Sequence, residues 1–169
     1  MDGIPSWMMD AFQRLPGPAQ ARLQSAIMKA MSDKYYVPLA TIPAHYVLAM
    51  LPGVLSSAVK ASEVGPARFD NDTPRKDAGE HCKLYYRLKG MHYNALEMFP
   101  ALVAGILMAK VQKVSPSELH RLAVQHLKLR LVYMFLYVAG VHPLIQAGRS
   151  VAWTLLIKNL LSMYGASLA

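Results

Sequence analysis

The sequence predicts an all-α integral membrane protein, a four-helix up-down bundle preceded by an N-terminal amphipathic extension. Three observations carry this. The 169-residue chain is 54% hydrophobic and only 17% charged, more apolar and less charged than a soluble domain. Residues 35–59 contain no Asp, Glu, Lys or Arg, and about 20 apolar residues suffice to cross a bilayer. Further apolar runs follow, separated by short polar or turn-forming segments. The mean hydropathy of +0.22 is modest because these polar segments interrupt the spans.

Residues 1–34 form the extension, and residues 35–169 the membrane domain. Pro16-Gly17-Pro18 breaks the extension in two. Its second piece, residues 19–31, mixes Leu23, Ile27 and Met28 with Arg22, Gln24 and Lys29. It reads as a short helix suited to a membrane surface or a partner. The first span covers about residues 36–59. Pro38, Pro43 and Pro52 lie in or beside it, and neighbouring helices tolerate such kinks in a membrane. Residues 60–89 read as a polar, turn-rich loop with Lys60, Arg68, Arg75, Lys76, Lys83, Arg87 and Lys89. The positive-inside rule puts this loop on the cytoplasmic or equivalent side, against four basic residues in the extension. The second span runs over about 91–112. Ser115 is then an N-cap, with Pro116 at the first helical position and Glu118 in the capping-box place. The third and fourth spans cover about 117–141, ended by His142-Pro143, and 147–168.

Composition also excludes several classes. The net charge of +8 comes from scattered residues without a nucleic-acid motif, and basic loops beside spans explain it. One cysteine, Cys82, excludes an internal disulfide framework. Asp2 and Asp10 sit where a secretory signal needs positive charge. Zinc spacing, a phosphate loop and a serine triad are absent from the sequence.

The most informative residue is Glu97, in the segment Asn94 to Pro100 that runs straight into the apolar stretch Ala101 to Ala109. A carboxylate near hydrocarbon is costly, so it is expected to face a bundle interior or a water-filled pocket and to have a partner. Asn94 lies three residues earlier, on a neighbouring part of the same helix face. On the third helix, Arg130 and Tyr137 share nearly one face, flanked by His126 and Tyr133. Arg130 is too deep to snorkel easily, which makes Glu97 its expected partner. Arg149 and Ser150 open the fourth helix. The candidate set is therefore Arg87, Arg130 and Arg149 as cations, Asn94 and Glu97 as polar anchors, and Tyr137 and Ser150 as hydroxyl donors.

These residues fill an ordered pattern. R-x6-N-x2-E-x2-P is occupied by Arg87, Asn94, Glu97 and Pro100. R-x6-Y follows with Arg130 and Tyr137, then R-S-x2-W with Arg149, Ser150 and Trp153. Over about residues 36–168 the chain resembles the MAPEG family, the membrane-associated proteins in eicosanoid and glutathione metabolism. The resemblance implies a homotrimer of four-helix bundles with a glutathione site between subunits near the cytoplasmic side. By that resemblance Arg87, Asn94, Glu97 and Arg149 are binding residues, with Glu97 on the amino end of the tripeptide. Arg130, Tyr137 and Ser150 are catalytic residues, with Arg130 supporting the site and Tyr137 and the Arg149-Ser150 pair near the carboxylates or the sulfur. Two carboxylates suit Arg forks, and a thiol beside Arg and a hydroxyl donor is favoured as thiolate. The implied activity is glutathione-dependent transfer or peroxide reduction on lipophilic electrophiles, in the endoplasmic reticulum or a mitochondrial membrane. The chain departs from the pattern at Gly90 and Tyr93, where several members carry Arg, and at Gln146-Ala147-Gly148, which reads as an insertion before Arg149. These departures support an alternative: a non-catalytic accessory subunit or scaffold among unlike membrane subunits, such as those of a mitochondrial complex.

Overall fold

The computed structural model describes residue 14 and residues 16–64, 82–140 and 142–168. The first piece of the extension, and Arg68, Arg75 and Lys76 of the expected loop, lie outside the described residues. Five helices are described: α1 Gly17–Ser32, α2 Tyr36–Val64, α3 Lys83–Val111, α4 Pro116–Ala139 and α5 Pro143–Leu168. They form two compact units, one ending at Tyr36 and one beginning at Val37. In the first, Pro18 stands in the opening turn of α1, where its missing N–H costs nothing. The Asp33 carboxylate accepts from the Tyr35 N–H at 2.8 Å in the turn that follows.

Among the described residues, α2, α3 and α4 are long and apolar enough to cross a bilayer. The fourth expected span, α5, has the length but carries Arg149, Lys158 and Asn159 and falls outside that set. Pro43 and Pro52 are accommodated inside α2 and Pro100 inside α3.

Two boundaries differ from expectation. α3 begins at Lys83, so Lys83, Arg87 and Lys89 belong to a helix and not to a loop. The reason is the apolar seam Tyr85, Leu88, Met91 and Ala95, all buried, with spacings of three and four. Hydropathy hides this seam because the basic residues on the other faces dilute it. Likewise, Pro143 does not merely end α4. It opens α5, whose first turns include the apparent insertion Gln146-Ala147-Gly148.

The α3–α4 connection shows local chemistry in detail. The Val114 N–H donates to the Ala109 carbonyl at 3.0 Å and the Lys113 N–H to the Lys110 carbonyl at 3.1 Å. Lys113 takes φ 60°. This is a Schellman ending, with lysine where glycine is usual. Val114 is buried. The Ser115 hydroxyl then accepts from the Glu118 N–H at 3.2 Å, capping α4 as its sequence predicts.

Packing joins the helices of the second unit. Leu102, Ile106, Leu122, Ala123 and Met163 form one core cluster from α3, α4 and α5, with Leu39 and Ile42 of α2 against it. Tyr133, Ala152 and Leu156 form a second between α4 and α5. Gly105 lets α5 approach α3 closely, and the Tyr164 hydroxyl donates to the Ala101 carbonyl at 2.7 Å. His92 of α3 lies against Gly53 of α2 and bonds the Ala49 carbonyl at 2.7 Å. Many large apolar side chains, among them Val47, Val54, Val111, Phe135 and Leu161, are exposed. That suits lipid or neighbouring chains as solvent.

Candidate functional site

Arg130 anchors the site. It is 4% exposed at the middle of α4. Its Nη1 donates to the Asn94 side-chain oxygen at 3.1 Å. Its guanidinium lies 5.2 Å from the centre of the Tyr133 ring. The amide is thus fixed by a charge from another helix. Tyr133 meets Tyr137 edge-on at 5.5 Å, and the Arg149 guanidinium lies 4.6 Å from the centre of the Tyr137 ring. An aromatic ladder therefore links the two arginines across α4 and α5.

Asn94, Tyr133 and Arg149 line a cleft of about 420 Å³ with Ser150, Trp153 and Thr154, while Arg130 and Tyr137 stand behind its lining. The volume lies within the range of small-molecule sites. One wall offers a cation, another an amide, and the floor is aromatic. The Ser150 hydroxyl donates weakly to the Gln146 carbonyl at 3.4 Å and is exposed at the rim. The turns 146–148 are helical, so they carry Arg149 toward this cleft and not away from it.

The expected pairing of Glu97 with Arg130 is corrected. Glu97 is exposed, and among the described residues no ion pair joins it to Arg130. Asn94, one turn earlier on α3, takes the guanidinium instead. The physical reason is register: Ala95 and Leu102 face the core, which places position 97 toward the outside. Arg87 also stands apart from the cleft lining. It is half-buried, and its Nε has no hydrogen-bond partner.

The departures at Gly90 and Tyr93 acquire a structural context. A Cβ at Gly90 would lie 2.7 Å from the Tyr137 hydroxyl. An arginine at 90 and this placement of Tyr137 exclude each other. Tyr93 is 46% exposed, and Lys89 stands 6.0 Å from its ring centre. A second cleft of about 310 Å³ lies beside it between α2 and α3, lined by Lys60, Tyr85, Lys89, His92 and Tyr93 among others.

Sequence reasoning missed Thr154 as a lining residue and gave Tyr133 only a flanking place. It also missed Asn159, whose side chain holds His126 at 3.1 Å in the interior. An amide beside Lys158 in an otherwise apolar helix was the available signal.

Among the described residues, helices alone, three of them long and apolar enough to cross a bilayer, with a polar, arginine-bearing cleft beside them, are the marks of an integral membrane protein. The family model of the MAPEG family matches residues 37–169, and the chain belongs to that family. No curated protein and no solved structure matches it.

Proposed function

We propose that this protein binds glutathione and transfers its thiolate to lipophilic electrophiles, or uses it to reduce hydroperoxides, from a four-helix bundle spanning the membrane. The observation that carries this reading is the shared cleft of Asn94, Tyr133, Arg149 and Ser150, fixed from behind by Arg130. Membership of a family associated with glutathione metabolism supports the choice of ligand. Arg149 offers a fork for a carboxylate or a counter-charge for a thiolate. Ser150 offers a hydroxyl at the rim. Tyr137 holds Arg149 in place from below. In conjugation, the sulfur lone pair forms the bond to carbon, and the leaving group departs with the displaced electron pair.

Glu97 and Tyr93 fit this reading only if another chain completes the site. Both are exposed, and an exposed carboxylate at membrane depth calls for a partner outside the chain. A homotrimer with glutathione between subunits supplies one, with Glu97 toward the ammonium of the tripeptide. Residues 1–34 are then an extension added to the catalytic domain.

The measurement is thermal unfolding of the purified protein across millimolar glutathione. A ligand at about 100 times its Kd stabilises by about 2.7 kcal/mol, so a clear upward shift in Tm is expected. Asn94→Ala and Arg149→Ala each remove most of it. An unchanged Tm, with a single copy found among unlike chains, sinks the enzyme reading. It favours the accessory-subunit reading, to which the Gly90–Tyr137 contact already lends support by excluding one glutathione-gripping arginine.

A further inference from the structure

Apart from the two clefts, a small cavity of about 10 Å³ is lined by His45, Ala95, Met98, Phe99, Leu102, His126 and Arg130. Three of its walls are polar and almost completely buried: His45 is 6%, His126 2% and Arg130 4% exposed. The two imidazoles lie 5.2 Å apart, centre to centre. The two remaining groups of this set without a hydrogen-bond partner are His45 Nε2 and Arg130 Nη2. Buried polar atoms in proteins are rarely left so.

We propose that this cavity is the binding site of one structural water, bridging His45 and Arg130 beside the His126 ring. The tautomers define what the ligand must offer. His45 Nδ1 lies 2.7 Å from the Thr41 carbonyl, which only accepts, so Nδ1 carries the proton and Nε2 is an acceptor. His126 Nδ1 lies 3.1 Å from the Asn159 side-chain oxygen. It too carries the proton there, which leaves Nε2 as an acceptor. Arg130 Nη2 can only donate, and Nη1 of the same guanidinium is engaged by Asn94. The cavity therefore presents the Nη2 donor of Arg130 and the Nε2 acceptor of His45. A water accepts from the first and donates to the second, and buried waters typically make about three hydrogen bonds. The volume admits about one water. Chloride accepts only, is larger, and leaves both imidazole lone pairs facing a negative charge. A metal ion suits the lone pairs but meets the Arg130 cation. The water thus secures the inner edge of the guanidinium whose outer edge holds Asn94 at the cleft. The inference does not depend on glutathione, and its test uses none.

The test is a density map of the purified protein fine enough to show ordered water, with ¹⁵N spectra of its imidazoles. The expected result is a peak within hydrogen-bond distance of both His45 Nε2 and Arg130 Nη2, with His45 protonated on Nδ1. His45→Gln keeps an acceptor there and retains the peak with a Tm close to the parent's. His45→Phe loses the peak and lowers Tm by roughly 3–10 °C, the range for stranding a buried donor in a domain of this size. Direct contact between His45 and Arg130 without a peak overturns the proposal, as does a peak that yields an anomalous signal after bromide exchange. A His45→Phe protein as stable as the parent overturns it also; if that variant does not fold, the parent's map and spectra decide.

Discussion

Gly90 carries its argument in a single missing atom. A methyl group there would stand 2.7 Å from the Tyr137 hydroxyl, closer than real contacts allow. Gly90→Ala is therefore expected to displace the Tyr137 tip and, with it, the Arg149 guanidinium stacked on that ring. The cost should lie in the overpacking range of about 1–3 kcal/mol. Tyr137→Phe removes the clashing oxygen, so Gly90→Ala should cost less in that background. A double-mutant cycle of unfolding free energies checks this, with a coupling of at least about 0.5 kcal/mol expected. Additive effects would mean that the two residues do not touch. Arg130 makes the complementary case. Arg130→Met keeps volume but strands the Asn94 amide and removes the stack on Tyr133, and a loss of about 3 kcal/mol or more is expected from breaking a buried charged contact. A thermal melt in detergent reads it. At this scale the sequence was legible where chemistry was costly. Arg130, Asn94, Arg149 and Ser150 stood out as polar groups in apolar surroundings. The choice between Asn94 and Glu97 as partner of Arg130 was not legible, because both lie on neighbouring parts of one face and only packing register separates them.

The helices end and meet by rules that can be tested separately. The Schellman ending of α3 puts Lys113 at φ 60°, where a Cβ is strained and glycine is not. Lys113→Gly is expected to raise stability by up to about 1 kcal/mol in urea or thermal unfolding, in spite of glycine's greater freedom when unfolded. A loss would show that the lysine side chain has an unseen role. The same type of change should have opposite outcomes at two helix contacts. A Cβ at Gly53 would meet the His92 ring at 2.9 Å, a ring already held to the Ala49 carbonyl. A Cβ at Gly105 would meet Leu160 and Met163 at 3.5 and 3.6 Å, ordinary contact distances. Gly53→Ala should lower Tm by several degrees, while Gly105→Ala should be neutral or stabilising through helix propensity. If both behave alike, the α2–α3 contact is looser than described. Caps and turns were readable in advance, as Ser115-Pro116-x-Glu118 shows, because their chemistry is local. The start of α3 was not, because Tyr85, Leu88 and Met91 are recognisable as a seam only once their partners are known.

Across the whole molecule, charge sets orientation. Lys60 and Lys83 stand at the helix ends joined by the segment carrying Arg68, Arg75 and Lys76, and Arg87 and Lys89 follow within α3. Lys110 lies in the last turn of α3, and the α3–α4 connection carries Lys113. Short connections with more Lys and Arg remain on the cytoplasmic side. Four basic residues before α2 pull the other way, and a direct reporter decides between the two pulls. The chain has one in its only cysteine. Cys82 is exposed at the N-terminus of α3, on the α2–α3 connection. Its N–H donates to the Glu63 carboxylate at 3.0 Å, which ties the two ends of that connection together without covering the thiol. In sealed vesicles of known sidedness, a membrane-impermeant maleimide should label Cys82 from the cytoplasmic face alone. Cys82→Ala should abolish the signal. Labelling only from the opposite face would invert the topology. It would then move the Arg149–Ser150 end of α5, which follows the α4–α5 turn, to the outer leaflet, where a cytoplasmic pool of glutathione could not reach the cleft.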